Sequence, residues 1–308
     1  MTNMTRRAAL TAAAAIPAAA LLPASAARAA AHAATGPTQP KARGAKVGDL
    51  TVTALLAGTA SREGDQQETF GMNVDAETFA EVSQKAFLPV DKSQFFFTPT
   101  LVRAGENVIL FDTGLNSAGL MEAMSEAGAT ADEVTHVVIT HMHGDHIGGL
   151  LTDGAPTFAN AEHITGEAEM AHWSEAGGDS FEANVASLRD QFTLIGDGAE
   201  LAPGITAMAM FGHTPGMMGY MLNSGDASLL ITADMTNHYV WSLAYPDWEV
   251  RFDMDKAAAA ETRRRVLGML AAERMPMLGY HMPFPAMGFV EARDTGFHWT
   301  PESYQLML

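Results

Sequence analysis

The 308-residue chain contains no cysteine, and this absence removes several kinds of structure and chemistry. No disulfide framework can form, no thiolate can act as a nucleophile, and any metal has to be held by nitrogen and oxygen. Export remains compatible with this composition, because a domain of this size can bury enough apolar surface to be stable without disulfides.

Basic residues are also scarce. Lys and Arg number 18 against 36 Asp and Glu, which gives a formal net charge of −18. A polyanionic partner would have to overcome the field of these charges, so nucleic acids and anionic membranes are poor candidates. We interpret this charge mainly as a contribution to solubility.

Long apolar runs are missing as well. The most apolar stretch near the N-terminus, residues 8–22, falls short of the roughly 20 residues that span a bilayer. It follows Arg6 and Arg7 and precedes small residues, which is the pattern of a secretory signal peptide with a twin-arginine character. We predict a signal peptide over residues 1–31 and export to the periplasm or the medium, with no integral membrane segment in the mature chain.

The remaining sequence predicts one α/β domain. Residues 32–46 lack apolar periodicity and are predicted to be a flexible lead-in, and residues 47–308 show no internal repeat. Short strand patterns, such as HVVIT at 136–140, alternate loosely with helical patterns rather than in strict βαβ units. This alternation indicates a layered α/β sandwich.

Two further patterns are assigned structural roles. The longest predicted helix, residues 255–274, has an apolar stripe that includes Val266 and Leu270, and Arg263–Arg265 are expected on its solvent face. The run Phe95–Phe97 is interpreted as part of the core or of a lid.

The stretch THMHGDHIGG concentrates potential ligands. It places His141, His143, Asp145 and His146 within six positions, directly after a predicted strand. The first two histidines would face the same way in an extended segment. Gly144 would permit a bend that turns the next two side chains toward a second point.

Three more candidates, His213, Asp234 and His281, follow other hydrophobic strands. Side chains at strand exits can converge on one rim of a sheet. Any single histidine could instead be an ordinary core residue. Five imidazoles and two carboxylates are too many for one tetrahedral ion, and they suit two neighbouring ions.

Together these motifs resemble the metallo-β-lactamase fold superfamily. THMHGDH matches its H-x-H-x-D-H signature, and LFDTG, GHTPG, TAD and GYH follow in the family's order. TADMTNH, PDWEVRFDMD and HMPFPAMGF are similar to the branch of methyl parathion hydrolases and quorum-quenching lactonases. The resemblance implies an αββα sandwich with a di-metal site at one edge.

The resemblance also implies seven metal ligands. They are His141, His143 and His213 for a first ion, Asp145, His146 and His281 for a second, and Asp234 between them. Asp112 matches a position that supports a ligand from behind, so its loss should weaken metal affinity. The β-lactamase subclass that uses a cysteine ligand is excluded.

Three residues are candidates for contact with the substrate. Trp173 and Phe181 occupy positions at which phosphotriesterase relatives place aromatic pocket walls, although both could equally be ordinary core aromatics. His238 matches a histidine often found in this branch, four residues past Asp234.

The expected function is hydrolysis with two divalent cations. Zinc is the first choice, and Mn, Co or Fe would also suit His and Asp ligands. A metal-bridging hydroxide would attack a neutral ester-like substrate, a lactone or a phosphotriester. Asp145 and Asp234 are the expected catalytic carboxylates, and Asp145 would also orient the proton or carry it to the leaving group. No Lys or Arg lies in the segments around Asp112 and the candidate ligands (THMHGDH, FGHTPG, TADMTNH and GYHMPF), which argues against an anionic substrate.

Other functions stay open at this point. A relative with one iron and a redox or sulfur-metabolising activity would carry a similar motif. A β-lactam or thioester hydrolase, or a non-catalytic binding protein on the same fold, are further alternatives. The oligomeric state, including a homodimer, is also left open.

Overall fold

The computed structural model of the chain describes residues 40–303. The predicted signal peptide, residues 1–31, lies outside the described residues, as do residues 32–39 of the lead-in. The end of the predicted lead-in, residues 42–46, belongs to a strand and is not the expected flexible segment. Ala42–Val47 form a strand that pairs antiparallel with Leu50–Leu55, so backbone hydrogen bonds order a stretch with little apolar content.

Short strands make up most of the regular structure of the described residues. In chain order they are β1 (Ala42–Val47), β2 (Leu50–Leu55), β3 (Gly58–Glu63), β4 (Lys92–Phe97), β5 (Thr100–Ala104), β6 (Asn107–Phe111), β7 (His136–Ile139), β8 (Leu151–Thr152), β9 (Ala155–Pro156), β10 (Glu162–Gly166), β11 (Phe192–Ile195), β12 (Glu200–Ala202), β13 (Ile205–Ala209), β14 (Met218–Ser224), β15 (Ala227–Ala233), β16 (Met277–Gly279), β17 (Met287–Arg293) and β18 (Gly296–Pro301).

Helices connect these strands. In chain order they are α1 (Ala76–Lys85), α2 (Ser117–Glu126), α3 (Gly144–Ile147), α4 (Glu167–Ala176), α5 (Asp179–Asn184) and α6 (Lys256–Glu273). Single 3₁₀ turns lie at Gln66–Glu68, Ala131–Glu133 and Arg189–Gln191. Within residues 40–303, no helix has the length and apolar character needed to cross a membrane.

The strands form two large sheets and two small hairpins. One sheet has the order β1-β2-β5-β6-β7-β10-β11, and the other has the order β12-β13-β14-β15-β16-β17-β18. The hairpins are β3-β4 and β8-β9. The β5-β6 hairpin follows the pattern that TPTLVRAG and NVILFDTG predict.

The period-two alternation of the strands separates two cores. Ile109 and Val138 of the first sheet pack against Ile205 and Tyr220 of the second, while neighbours such as Leu110 face the other way, toward α2, α4 and α5. Helix α6 packs on the outer face of the second sheet. The layers therefore run helix, sheet, sheet, helix, which confirms the expected αββα sandwich.

Helix α6 confirms one sequence expectation and corrects another. Asp255 caps its N-terminus, and Val266 and Leu270 are fully buried, as the apolar stripe predicts. Arg263, expected on the solvent face, is also fully buried, whereas Arg264 and Arg265 are exposed. The reason is Asp253, which lies before the helix and accepts a charged hydrogen bond from Arg263.

Parallel pairing brings the ligand motifs to one edge. Strands β6, β7 and β10 are mutually parallel neighbours in the first sheet, and β15 and β16 are parallel in the second. Asp112, His141, Asp234 and His281 each follow the carboxyl end of one of these strands. The two sheets face each other, so these strand ends open onto a common rim.

Candidate metal centre

The THMHGDH loop is shaped by the start of a short helix. His143 is the N-cap of α3, and Asp145 and His146 lie in its first turn. The expected sharp bend at Gly144 is the beginning of this helix. Gly144 matters for space, because a Cβ atom there would lie 2.7 Å from Oγ of Ser180.

Three histidines form the first cluster. Nδ1 of His143 lies 3.1 Å from Nε2 of His141 and 3.0 Å from Nε2 of His213. Burial, followed by the charge of His146, lowers the pKa of His141 well below its usual value. Burial and the neighbouring His213 lower the pKa of His143 to about 3. Neutral imidazoles with converging nitrogens are suited to bind a cation.

The second cluster combines a carboxylate with two histidines. Oδ2 of Asp145 lies 3.3 Å from Nε2 of His281 and 3.7 Å from Nε2 of His146. Burial disfavours the charged form of His281, but Asp234 and Asp145 outweigh it and raise its pKa to about 10. The second cluster therefore lies in a strongly negative potential that attracts cations.

Asp234 lies between the two clusters. Its Oδ2 atom is 3.0 Å from Nε2 of His281 and 3.4 Å from Nε2 of His213, and its Oδ1 atom is 3.2 Å from Nε2 of His146. The side chain of Asp234 is only 3 % exposed. Among the described residues, this carboxylate is in reach of both ligand sets.

Unpartnered atoms test whether metal ions fit here. Nε2 of His146 and Oδ1 of Asp234 are buried and lie 3.2 Å from each other, and neither has a hydrogen-bond partner of normal geometry among the described residues. Each buried polar atom left unsatisfied costs about 1–3 kcal/mol. Within each group of candidate ligands, the ligand atoms lie within 4.8 Å of one another. The side chains present therefore fit two divalent cations.

Asp112 supports the second cluster from behind, as the sequence predicts. Its Oδ2 atom lies 2.8 Å from Nδ1 of His146 and accepts a hydrogen bond from the hydroxyl of Thr140. The backbone N–H of Thr140 donates to Oδ1 of Asp112. These contacts fix the orientation of the His146 ring and leave Nε2 for the site.

Two other supporting contacts were not predicted from the sequence. Nδ1 of His213 lies 3.0 Å from Oδ1 of Asp253, whose Oδ2 accepts a 2.7 Å hydrogen bond from Arg263. Burial opposes ionisation of Asp253, but His213 and Arg263 together hold its pKa below the usual value. Nδ1 of His281 lies 2.8 Å from the carbonyl oxygen of Phe96. Asp253 lies in the stretch PDWEVRFDMD, but nothing in that stretch marks it as the partner of His213.

A cleft of about 680 Å³ opens over both clusters. One wall is apolar, and α5 contributes Ser180 and Asn184 to its lining. The apolar side chains in the lining are Phe95, Phe97, Leu115 and Phe252. Among the described residues that line the cleft there is no Lys or Arg.

The three predicted substrate contacts lie elsewhere. The Trp173 ring is edge-on to His143 at 5.9 Å but does not line the cleft. Phe181 is 3 % exposed and packs in the core under the first sheet. His238 stacks on Trp241 at 4.1 Å, and its Nδ1 atom accepts the backbone N–H of Trp241. These positions correct the expected pocket, because packing draws all three rings away from the cleft.

A family comparison agrees with this geometry. The model of the metallo-beta-lactamase superfamily matches residues 98–276, which is more than half of the chain. The chain belongs to the metallo-β-lactamase superfamily. Members of this superfamily among its structural neighbours are metal-dependent hydrolases.

Curated relatives of this superfamily member match over part of their length. The anti-Pycsar protein Apyc1 of Paenibacillus sp. (strain J14) is 29 % identical over an alignment of 159 residues. The alignment covers 46 % of this chain and 62 % of Apyc1. The lactamase-like protein adaB of Aspergillus niger is 33 % identical over 97 residues, 30 % of either chain. The chain thus spans less than two thirds of these relatives.

Solved structures match the metallo-β-lactamase fold of this chain more completely. AidC, described as a dizinc quorum-quenching lactonase, has a TM-score of 0.77 at 23 % identity. The match covers 86 % of this chain and 99 % of AidC. The hydrolase AbOPH has a TM-score of 0.79 at 22 % identity, with the same coverage. At these identities the likeness shows the fold.

Proposed function

We propose that the chain is a di-metal hydrolase of small neutral ester-like substrates, either lactones or phosphotriesters. The observation that carries this proposal is the position of Asp234. Its carboxylate lies within 3.4 Å of both ligand clusters, and its Oδ1 atom and Nε2 of His146, 3.2 Å apart, have no hydrogen-bond partner of normal geometry among the described residues.

Each cluster would hold one ion. His141, His143 and His213 would bind the first, Asp145, His146 and His281 the second, and Asp234 would bind both. Bound there, two divalent cations would polarise the carbonyl or phosphoryl group and make water nucleophilic near neutral pH. Zinc is the proposed metal, supported by the description of AidC as a dizinc enzyme, and Mn, Co and Fe share the same ligand preferences.

The two carboxylates of the site differ in access. Both side chains line the cleft, but that of Asp145 is 20 % exposed and that of Asp234 only 3 %. Asp145 can therefore reach both the metal and the substrate, which suits a group that accepts the proton of the attacking water and directs it toward the leaving group. Asp234 is restricted to holding the ligand clusters together.

The cleft favours an uncharged substrate. Phe95, Phe97 and Phe252 offer apolar and aromatic surface, and the Ser180 hydroxyl and Asn184 amide can accept or donate neutral hydrogen bonds. Sites for phosphate monoesters or carboxylates usually provide Arg or Lys, whose charge-assisted bonds give both energy and orientation. No such side chain lines this cleft among the described residues.

Matched esters test this preference. We would compare a 4-nitrophenyl phosphotriester with the corresponding anionic diester, together with a lactone, on metal-replete protein. Each kcat/KM is divided by the rate of the same ester with hydroxide, because triesters are intrinsically more reactive. We expect the normalised value to be at least about tenfold higher for the neutral ester, a difference of about 1.4 kcal/mol. A preference for the anionic ester at low and high salt would overturn the proposal.

Metal analysis separates the main rival. A mono-iron redox member would contain one iron per chain and would require oxygen for turnover. The proposed hydrolase should contain about two divalent metals per chain and should work without oxygen. Including a β-lactam and a thioester in the substrate panel tests the other hydrolase reactions.

A further inference from the structure

A buried glutamate lies directly behind the first histidine cluster. Glu169 is in the first turn of α4 and is fully buried. Its Oε1 atom accepts hydrogen bonds from the backbone N–H of Met142 at 2.8 Å and the indole N–H of Trp173 at 2.7 Å. Its Oε2 atom accepts from the hydroxyl of Thr214 at 2.7 Å and the backbone N–H of Gly216 at 3.0 Å. Two donors on each oxygen suit an ionised carboxylate.

These donors belong to the two loops that carry the first cluster. Met142 lies between His141 and His143, and Thr214 directly follows His213. One carboxylate thus connects segments that are far apart in the sequence. The helix comes so close that a Cβ atom at Gly216 would lie 2.0 Å from the backbone nitrogen of Glu169. The spacing between the loops is therefore set at Glu169.

Charge gives Glu169 a second effect. The first cluster consists of three histidines, and Asp234 is the carboxylate that contacts both it and the second cluster. Asp253, behind His213, already has Arg263 as a cationic partner. Glu169 forms no ion pair among residues 40–303. A buried carboxylate without a cation is costly, and a dication close by would offset that cost.

We propose that Glu169 is a positioning residue for the first metal: it holds the Met142 loop and the Thr214 loop at the spacing that three histidine ligands require, and its buried negative charge favours a dication there. The inference rests on the proposed function only in requiring that the chain bind two metals. It concerns metal affinity, so its test needs no substrate.

The variant Glu169→Gln keeps the shape of the side chain and removes its charge. In either orientation, its NH₂ group would face a backbone N–H, that of Met142 or that of Gly216. We expect the affinity for one of two Zn²⁺ ions to fall by about 10- to 100-fold, the usual effect of losing such a support. The other ion should keep its affinity within about twofold. Titration of metal-free protein against a chromophoric chelator measures both, and circular dichroism checks folding.

Three further variants show which metal site loses affinity and serve as controls. Glu175→Gln changes an exposed glutamate of the same helix and should leave both affinities unchanged. His213→Ala removes a first-site ligand, so adding Glu169→Gln to it should cause no further loss of the remaining metal. Thr214→Val keeps the charge and removes one hydrogen bond, so a smaller loss at the same site is expected. This variant also serves if Glu169→Gln does not fold.

The results separate the inference from the proposed function. Wild-type protein that binds no more than one metal contradicts the proposed function. Wild-type protein with two metals, together with unchanged Zn²⁺ titrations of Glu169→Gln and Thr214→Val, contradicts only the role of Glu169. An equal loss of Zn²⁺ affinity at both sites in either variant also contradicts it. A general loss of structure would weaken both sites, whereas the loss of a support for the first cluster should weaken only one.

Discussion

Replacing Arg263 with methionine tests how strongly the support of His213 contributes to stability. The guanidinium NH1 donates to Oδ2 of Asp253 at 2.7 Å, and the two side chains are 1 % and 0 % exposed. Its Nε atom donates to the carbonyl of Pro246 at 2.7 Å, and NH2 donates to that of Trp248 at 3.3 Å. Methionine fills similar volume but can make none of these bonds.

The expected cost follows from burial. Removing one partner of a buried ion pair leaves the other charge uncompensated, which typically costs about 3–5 kcal/mol. Asp253 would keep only the hydrogen bond with His213. We therefore expect Arg263→Met to lower the free energy of unfolding by about 4 kcal/mol, which lowers the melting temperature of a domain of this size by roughly 10 °C.

Urea unfolding of metal-free protein measures this change without a contribution from metal loss. Arg264→Met is the matched control, since Arg264 is the next residue of α6 and pairs with Asp247 at the surface, where the side chains are 46 % and 56 % exposed. Solvent screens such a pair, so about 1 kcal/mol or less should be lost. Combining Arg263→Met with Asp253→Asn should restore part of the stability by removing the unpaired charge. Equal losses in the two single variants would refute the reasoning.

Further predictions concern the site and export. Asp234→Ala should reduce bound metal to at most one ion per chain by elemental analysis and abolish hydrolysis; full activity would contradict its position between the ions. Phe252→Ala should raise KM for neutral esters more than it lowers kcat. Phe211 is equally exposed but lies outside the cleft, so Phe211→Ala should change neither constant. Identical effects of the two variants would contradict a role of Phe252 in substrate binding. Changing Arg6 and Arg7 to Lys should leave precursor in the cytoplasm after fractionation; normal export would indicate another route.

The metal ligands could be predicted because each is local to a strand end. His141 comes two residues after β7, Asp234 directly follows β15, and His281 comes two residues after β16. A hydrophobic run that ends in a polar residue is visible in the sequence, and parallel neighbours bring such ends together. The convergence of these side chains on one rim could therefore be predicted from the strand ends, whereas the full set of candidate ligands and the αββα layer order were implied by the resemblance to the family.

Apart from Asp112, the residues behind the ligands could not be predicted in this way. Three of the four donors to Glu169 lie 27 to 47 residues away in the sequence, and Asp253 contacts His213 across 40 residues. In the sequence, Glu169 is one of several acidic residues of a short helix, and Arg263 begins a run of three arginines. Only the packing of α4 and α6 against the ligand loops distinguishes these buried charges from their exposed neighbours.

The cleft wall was also beyond sequence reasoning, and its actual position joins substrate contact to metal binding. Phe95 and Phe97 alternate on β4, so both face the cleft, and their rings lie edge-on to His281 at 5.5 and 5.6 Å. The carbonyl of Phe96 between them is the partner of Nδ1 of His281. A shift of β4 that reshapes the wall would therefore also move the acceptor that orients a metal ligand. The apolar wall and the orientation of His281 are therefore coupled through β4, and Phe252, on a separate loop, joins the same wall by an edge-on contact with Phe95 at 6.0 Å.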